Sequence, residues 1–289
     1  VSATSLPHLS LPAHDGFVTV APGVTLAYMD RGQGQPIVFL TGWSFAKEMF
    51  EKQLAGLARS YRVITYDPRS QGGSSFTMDG NDYLTHAVDL DALLTQLKVT
   101  NPILVGWNAG AHTAWAYIRK HGAAAVAANV TVNTMPKCLS PEADAWVAGS
   151  LERVAGIHTI YLRDAAGHAS FVRSYAETNF VQRELDEAEV EWVVAQSLKT
   201  RTLVAAQLFA AYMFSDQTSQ AIAVAKARPT LIFIGQPWAE KAVPFIKRLL
   251  PESKYVVFGG SAMFWEHPDA FNQVLDEFIR QNVGVYLQG

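Results

Sequence analysis

Cysteine is almost absent from this sequence: Cys138 is the single one in 289 residues. It closes no internal disulfide and stands in no Cys-x-x-Cys or Cys/His spacing, which predicts a reducing, cytoplasmic setting and no structural metal. Long apolar runs are missing too, since no stretch approaches the roughly 18 apolar residues of a membrane span. Nor is there a surplus of positive charge. The 23 Lys and Arg against 26 Asp and Glu give a formal net charge of -3, which leaves no basic face for nucleic acid. The first 16 residues lack the charged start and apolar run of a secretory signal and read as an extended lead-in. What is present is 49% apolar residues, ample for one large core. These features predict a soluble globular protein whose partner is a small molecule. They call for no cofactor and leave the oligomeric state open.

Short apolar runs alternate with helical patterns along most of the chain. Residues 17–20 and 25–29 alternate around Ala21-Pro22-Gly23, which predicts a hairpin. Continuous apolar runs at 37–40, 62–66, 102–105, 128–132, 230–234 and 255–258 predict buried strands. Helices are expected over 45–60, from Asn81 or Asp82 to 97, over 111–121, over 239–250 and over 268–283. Between 135 and 227 the pattern changes to helical segments at 141–154, 169–180, 186–198 and 202–213, without a strand. The expected architecture is therefore α/β: a mostly parallel twisted sheet flanked by helices, formed by residues 1–134 and 228–289. An inserted helical lid, 135–227, would lie over the C-terminal ends of the strands.

Four segments carry chemistry-bearing motifs in order: Thr41-Gly42-Trp43, Tyr66-Asp67-Pro68-Arg69-Ser70-Gln71-Gly72, Gly106-Trp107-Asn108-Ala109-Gly110 and Phe264-Trp265-Glu266-His267-Pro268. Together they resemble the α/β-hydrolase superfamily, over nearly the whole chain apart from the lid. The third is the glycine-framed strand-to-helix turn on which that family mounts its nucleophile. Here the turn holds Asn108, whose amide is neither nucleophilic nor titratable. The family's histidine falls five residues before the Glu of the last motif, which is Ser261 here. Its acid follows the penultimate strand, where Trp238 stands, or the sixth strand, where Asn133 stands. The resemblance also implies backbone N-H groups at Ala109 and Trp43 that hold an oxyanion, with Ser44 and Trp107 beside them.

Each of these residues also has a plainer reading. Asn108 is suited to a left-handed turn by its side chain alone. Ser261 serves as a loop-capping hydroxyl, and His112 as a hydrogen-bonded core histidine. Asp67 and Arg69 open a loop where the family pairs them for structure. His267 is the one candidate for a displaced base, with Glu240 or Glu266 as its acid. Trp43, Trp107 and Trp238 fall together by motif and suggest an aromatic pocket, to which residues 209–214 add an apolar wall. The expected function is a non-hydrolytic reaction on an apolar ketone or enolate (cyclisation, lysis, proton transfer or cofactor-free oxygen chemistry), with Asn108, Ser261 and His267 as catalytic residues. A binding protein without catalysis and a hydrolase with a relocated base remain as alternatives.

Overall fold

The computed structural model describes residues 12–283. The lead-in expected over residues 1–16 lies outside the described residues as far as residue 11, and its end joins the first strand. β1 (Ala13–Ala21) and β2 (Val24–Arg31) form an antiparallel hairpin, and β2 continues antiparallel onto β4 (Arg62–Tyr66). β3 (Pro36–Leu40), β5 (Ile103–Trp107), β6 (Ala128–Val132), β7 (Thr230–Ile234) and β8 (Lys254–Val257) complete an eight-stranded sheet. Its order is β1-β2-β4-β3-β5-β6-β7-β8, parallel from β4 to β8. The central strands β5, β6 and β7 bury every residue, as continuous apolar runs covered by helices on both faces must.

The helices that cover the sheet are α1 (Glu51–Leu57), α2 (Tyr83–Gln96), α3 (Gly110–His121), α9 (Ala239–Leu249), the short α10 (Met263–Glu266) and α11 (Pro268–Asn282). Asp82 caps α2, its carboxylate accepting from Leu84 N and Thr85 N at 2.9 Å, so the second of the two expected caps is the one used. The helix expected over 45–60 is shorter: a 3-10 turn at Lys47–Phe50 precedes α1. There the Lys47 amide turns to the Asp67 carboxylate at 2.7 Å instead of joining a helix.

Asp67 and Arg69 do not pair with each other. Asp67 accepts from Lys47 and from the Gly73 amide, while the Arg69 guanidinium makes a two-pronged contact with Asp89 at 2.7 and 2.8 Å. The two side chains thereby tie the loop after β4 to different elements.

Between β6 and β7 lie α4 (Leu151–Gly156), α5 (Ala165–Tyr175), α6 (Glu187–Leu198), α7 (Thr202–Met213) and α8 (Thr218–Ala227). Wider turns extend α4 over Ile157–Tyr161 and α5 over Ala176–Phe180. The helix expected from residue 141 begins only at Leu151, where the Ser150 hydroxyl accepts from Arg153 N and caps it. No helix among the described residues is long and apolar enough to cross a membrane.

Candidate functional site

The site begins where β5 ends. Gly106 packs on Ala111 and Gly110 on the Leu40 and Thr41 carbonyls, so a Cβ at either position would strike backbone. This crowding forces the chain from strand to helix within two residues and leaves Asn108 at φ 51°. Left-handed backbone costs most residues about 1–2 kcal/mol, and Asn is among the types that bear it best. The Asn108 N-H bonds the Val132 carbonyl at 2.9 Å, which anchors the turn to the neighbouring strand. Its side chain faces a cavity and makes no hydrogen bond to another described residue.

That cavity holds about 770 Å³ of space, including the part open to solvent. The core contributes Trp43, Phe45, Trp107 and Asn108. The residues between β6 and β7 contribute Ala148, Arg153, Val154, Ile157, Phe171, Val172, Tyr175, Phe209, Tyr212 and Met213. The two indoles present apolar faces because their N-H groups are used elsewhere: Trp43 Nε1 donates to the Ala205 carbonyl at 2.8 Å and Trp107 Nε1 to the Ser261 carbonyl at 3.0 Å. Of residues 209–214, Phe209, Tyr212 and Met213 form the expected apolar wall.

The backbone N-H groups of Trp43 and Ala109 donate to no acceptor among the described residues. The segments carrying them touch, since a Cβ on Gly42 would come 2.8 Å from the Trp107 ring. Ala109 is also the residue before α3, whose N-terminal dipole favours negative charge. This arrangement can receive a carbonyl oxygen and favour charge developing on it.

Ser261 is 1% exposed, and its Oγ accepts from the Tyr175 hydroxyl at 2.7 Å. Burial pushes the Tyr175 phenol well above its usual range. The Ser261 loop is fixed from above by the Ser261 and Ala262 amides, which donate to Asn179 and Phe180 carbonyls. It is fixed from below by Glu266, whose carboxylate accepts from Gly260 N and Gln182 N. Tyr175 was not singled out in the sequence. Phe171 and Tyr175 are four residues apart and share one face of α5, but periodicity alone does not say what that face meets.

Several expected site residues stand elsewhere. His267 is half-exposed with its Nε2 3.6 Å from Glu266, and it does not line the cavity. Its backbone ends α10 and begins α11, which turns the ring outward past Phe258. Trp238 also leaves the pocket: Gly235 lacks a side chain, and the Trp238 ring fills that space, where a Cβ would lie 2.7 Å from it. Asn133, at φ 45°, turns its Oδ1 to the Gly235 N-H at 3.0 Å and links the ends of β6 and β7. The Ser44 hydroxyl lies 2.6 Å from Ser197 Oγ, which lies 3.1 Å from His168 Nε2, so it joins a buried polar chain beside α6 instead of the cavity. Glu240 is exposed at the start of α9, and Glu266 is fully occupied by backbone amides.

The buried histidines are held neutral. His112 lies 3.1 Å from the Met135 carbonyl through Nε2 and 2.7 Å from Ser215 Oγ through Nδ1. A carbonyl can only accept, so Nε2 carries the hydrogen and Nδ1 accepts from Ser215. Burial lowers the pKa of His112 to about 4, and does the same for His86 and His168. No cluster of three or more His, Cys, Asp or Glu able to hold a metal occurs among the described residues.

A family profile described as alpha/beta hydrolase fold matches residues 35–268. A Synechocystis sp. protein named "Putative non-heme chloroperoxidase" is 30% identical over 268 residues, covering 89% of this chain and 95% of its own. A non-heme haloperoxidase of Rhodococcus erythropolis is 35% identical over 121 residues, 42% of this chain and 44% of the relative. Among solved structures, an esterase from Exiguobacterium antarcticum superposes with a TM-score of 0.82 at 25% identity, over 92% of this chain and all of that one. These names overturn the expectation of a non-hydrolytic reaction on a ketone or enolate. Those relatives are named for chloroperoxidase, haloperoxidase and esterase activities.

Proposed function

Because this chain belongs to the α/β-hydrolase fold family, we propose that it acts on apolar carbonyl compounds of the ester and carboxylic-acid class, and that it does so without an acyl-enzyme. Residues 135–227 serve as the cap over the cavity in this reading. The carbonyl oxygen of the ligand is received by the Trp43 and Ala109 N-H groups, with the Asn108 amide as a neutral neighbour. Trp107 and the cap aromatics take up the apolar body.

Asn108 carries the proposal. Its amide stands at the cavity end of β5 where a nucleophile would be mounted, and it cannot attack a carbonyl carbon. Ser261, at the position the family gives its base, is paired with Tyr175 and makes no hydrogen bond to a histidine among the described residues. Hydrolysis then proceeds by direct attack of water. The water oxygen bonds to the carbonyl carbon, the alkoxide leaves, and it takes up the proton that water releases. Oxyanion donors and binding alone leave roughly 10³–10⁴-fold acceleration over water in a hydrolase stripped of its triad.

Stopped-flow hydrolysis of p-nitrophenyl butyrate tests this reading. Product should appear linearly from zero time with saturation in ester, and a fluorophosphonate probe should leave the protein unlabelled. A stoichiometric burst, or labelling, would overturn it.

A further inference from the structure

Among the described residues the cavity wall carries one charged side chain, Arg153, and its place there is built into the local backbone. Gly149, at φ 155°, lets the Arg153 stem fold back over it, since a Cβ at that position would lie 3.1 Å from Arg153 Cδ. Ser150 caps α4 through the Arg153 amide and fixes where the side chain leaves the helix. Three other arginines of the same segment are engaged: Arg173 with Glu177, Glu187 and Glu191, Arg183 with Glu189, and Arg201 over the Phe76 ring, while Arg163 does not line the cavity. Arg153 has no carboxylate within ion-pair distance among the described residues, and it is exposed at the edge of a mostly apolar cavity. A planar guanidinium in such a place matches a carboxylate with two parallel hydrogen bonds.

We propose that the cavity selects amphipathic monocarboxylates, in which the anionic group pairs with Arg153, the apolar chain lies along Val154, Ile157 and Phe171, and a second, uncharged carbonyl reaches Asn108. This rests on the reading of the cavity as a carbonyl site given above. It adds what that reading lacks, a reason for the ligand to be an anion at one end and neutral at the other. Half-esters of dicarboxylic acids are the simplest compounds with that pattern.

The test compares monomethyl suberate with dimethyl suberate on the full chain, by quenching of tryptophan fluorescence, since Trp43 and Trp107 line the cavity. In wild type the half-ester should bind about 5-fold more tightly than the diester, near the upper end for a partly exposed ion pair. In Arg153→Gln that ratio should fall to about one, and in wild type it should shrink as salt is raised. Arg153→Lys, which keeps the charge and loses the fork, should give an intermediate ratio. If the two compounds bind wild type equally, or if the preference survives Arg153→Gln, the assignment of Arg153 is wrong while the carbonyl site stands. If neither compound binds wild type, the carbonyl site itself is refuted, and this inference with it.

Discussion

Asn108→Ser restores a hydroxyl to the turn between β5 and α3, and it should not restore acyl transfer. A serine there needs a group to take its proton, and the described residues supply none. Ser261 and Tyr175 bond each other at 2.7 Å, and burial drives the phenol pKa up, which makes its oxygen a donor at neutral pH and no base. His112 gives both ring nitrogens to Ser215 and Met135, His168 bonds Ser197, and His267 lies outside the cavity. General-base assistance is worth about 10²–10⁴ in rate, or roughly 3–5 kcal/mol at 1.36 kcal/mol per decade. None of that should appear, so turnover of p-nitrophenyl butyrate should stay within about tenfold of wild type, without a burst. The pH profile should rise without a plateau near pH 6–7, where a histidine base would give one. Ser bears left-handed backbone less well than Asn, and a loss of about 1 kcal/mol in urea unfolding is expected as the mark of a folded variant. A burst in Asn108→Ser, or a sigmoid with an apparent pKa near 6.5, would show that a proton acceptor does reach the turn and would refute the reasoning.

Gly42→Ala places a methyl 2.8 Å from the six-membered ring of Trp107, inside the contact that brings the Trp43 segment to the turn. Over-packing of this kind costs about 1–3 kcal/mol, and ester binding should weaken with it as Trp107 shifts. An unchanged urea midpoint together with unchanged binding would contradict the contact. Stability should also fall in acid. His86, His112 and His168 have folded pKa values lowered by burial to about 4, below the usual 6.5 of an unfolded chain. Their neutral forms therefore contribute stability that is full above about pH 6.5 and is lost as pH falls toward 4, by up to about 1.4 kcal/mol per histidine per pH unit. Urea midpoints at pH 7 and pH 5 measure this, and equal values would sink it.

The helical wall of the cavity was the least legible part of the sequence. Residues 202–213 were readable as a helix, and that helix does place Phe209, Tyr212 and Met213 on the cavity. Its composition is apolar nearly all round, so no stripe announced which side would face the sheet. Tyr175 and Arg153 went unnoticed for a related reason. Each is an ordinary helix residue until the fold sets Tyr175 against Ser261 and leaves Arg153 at the cavity edge. Trp238 erred in the other direction, since position in a motif suggested the pocket while the space above Gly235 claimed its ring.

The sequence by itself determined the sheet and the turn. Buried strands announce themselves as apolar runs between glycines and helices, so β4, β6 and β7 coincide with the runs at 62–66, 128–132 and 230–234. Gly106 and Gly110 frame Asn108 in a five-residue motif readable from the sequence, although only the crowding of Gly106 on Ala111 is local, and Gly110 is pressed by the Leu40 and Thr41 carbonyls. Only the tertiary structure decided which polar groups share a cavity. Asn108 and Tyr175 both line it, while Asn133 and Ser44 are turned to partners on other elements and His267 lies outside it. The direction of a side chain depends on the space and hydrogen-bond partners left by segments distant in sequence, and no spacing along the chain records them.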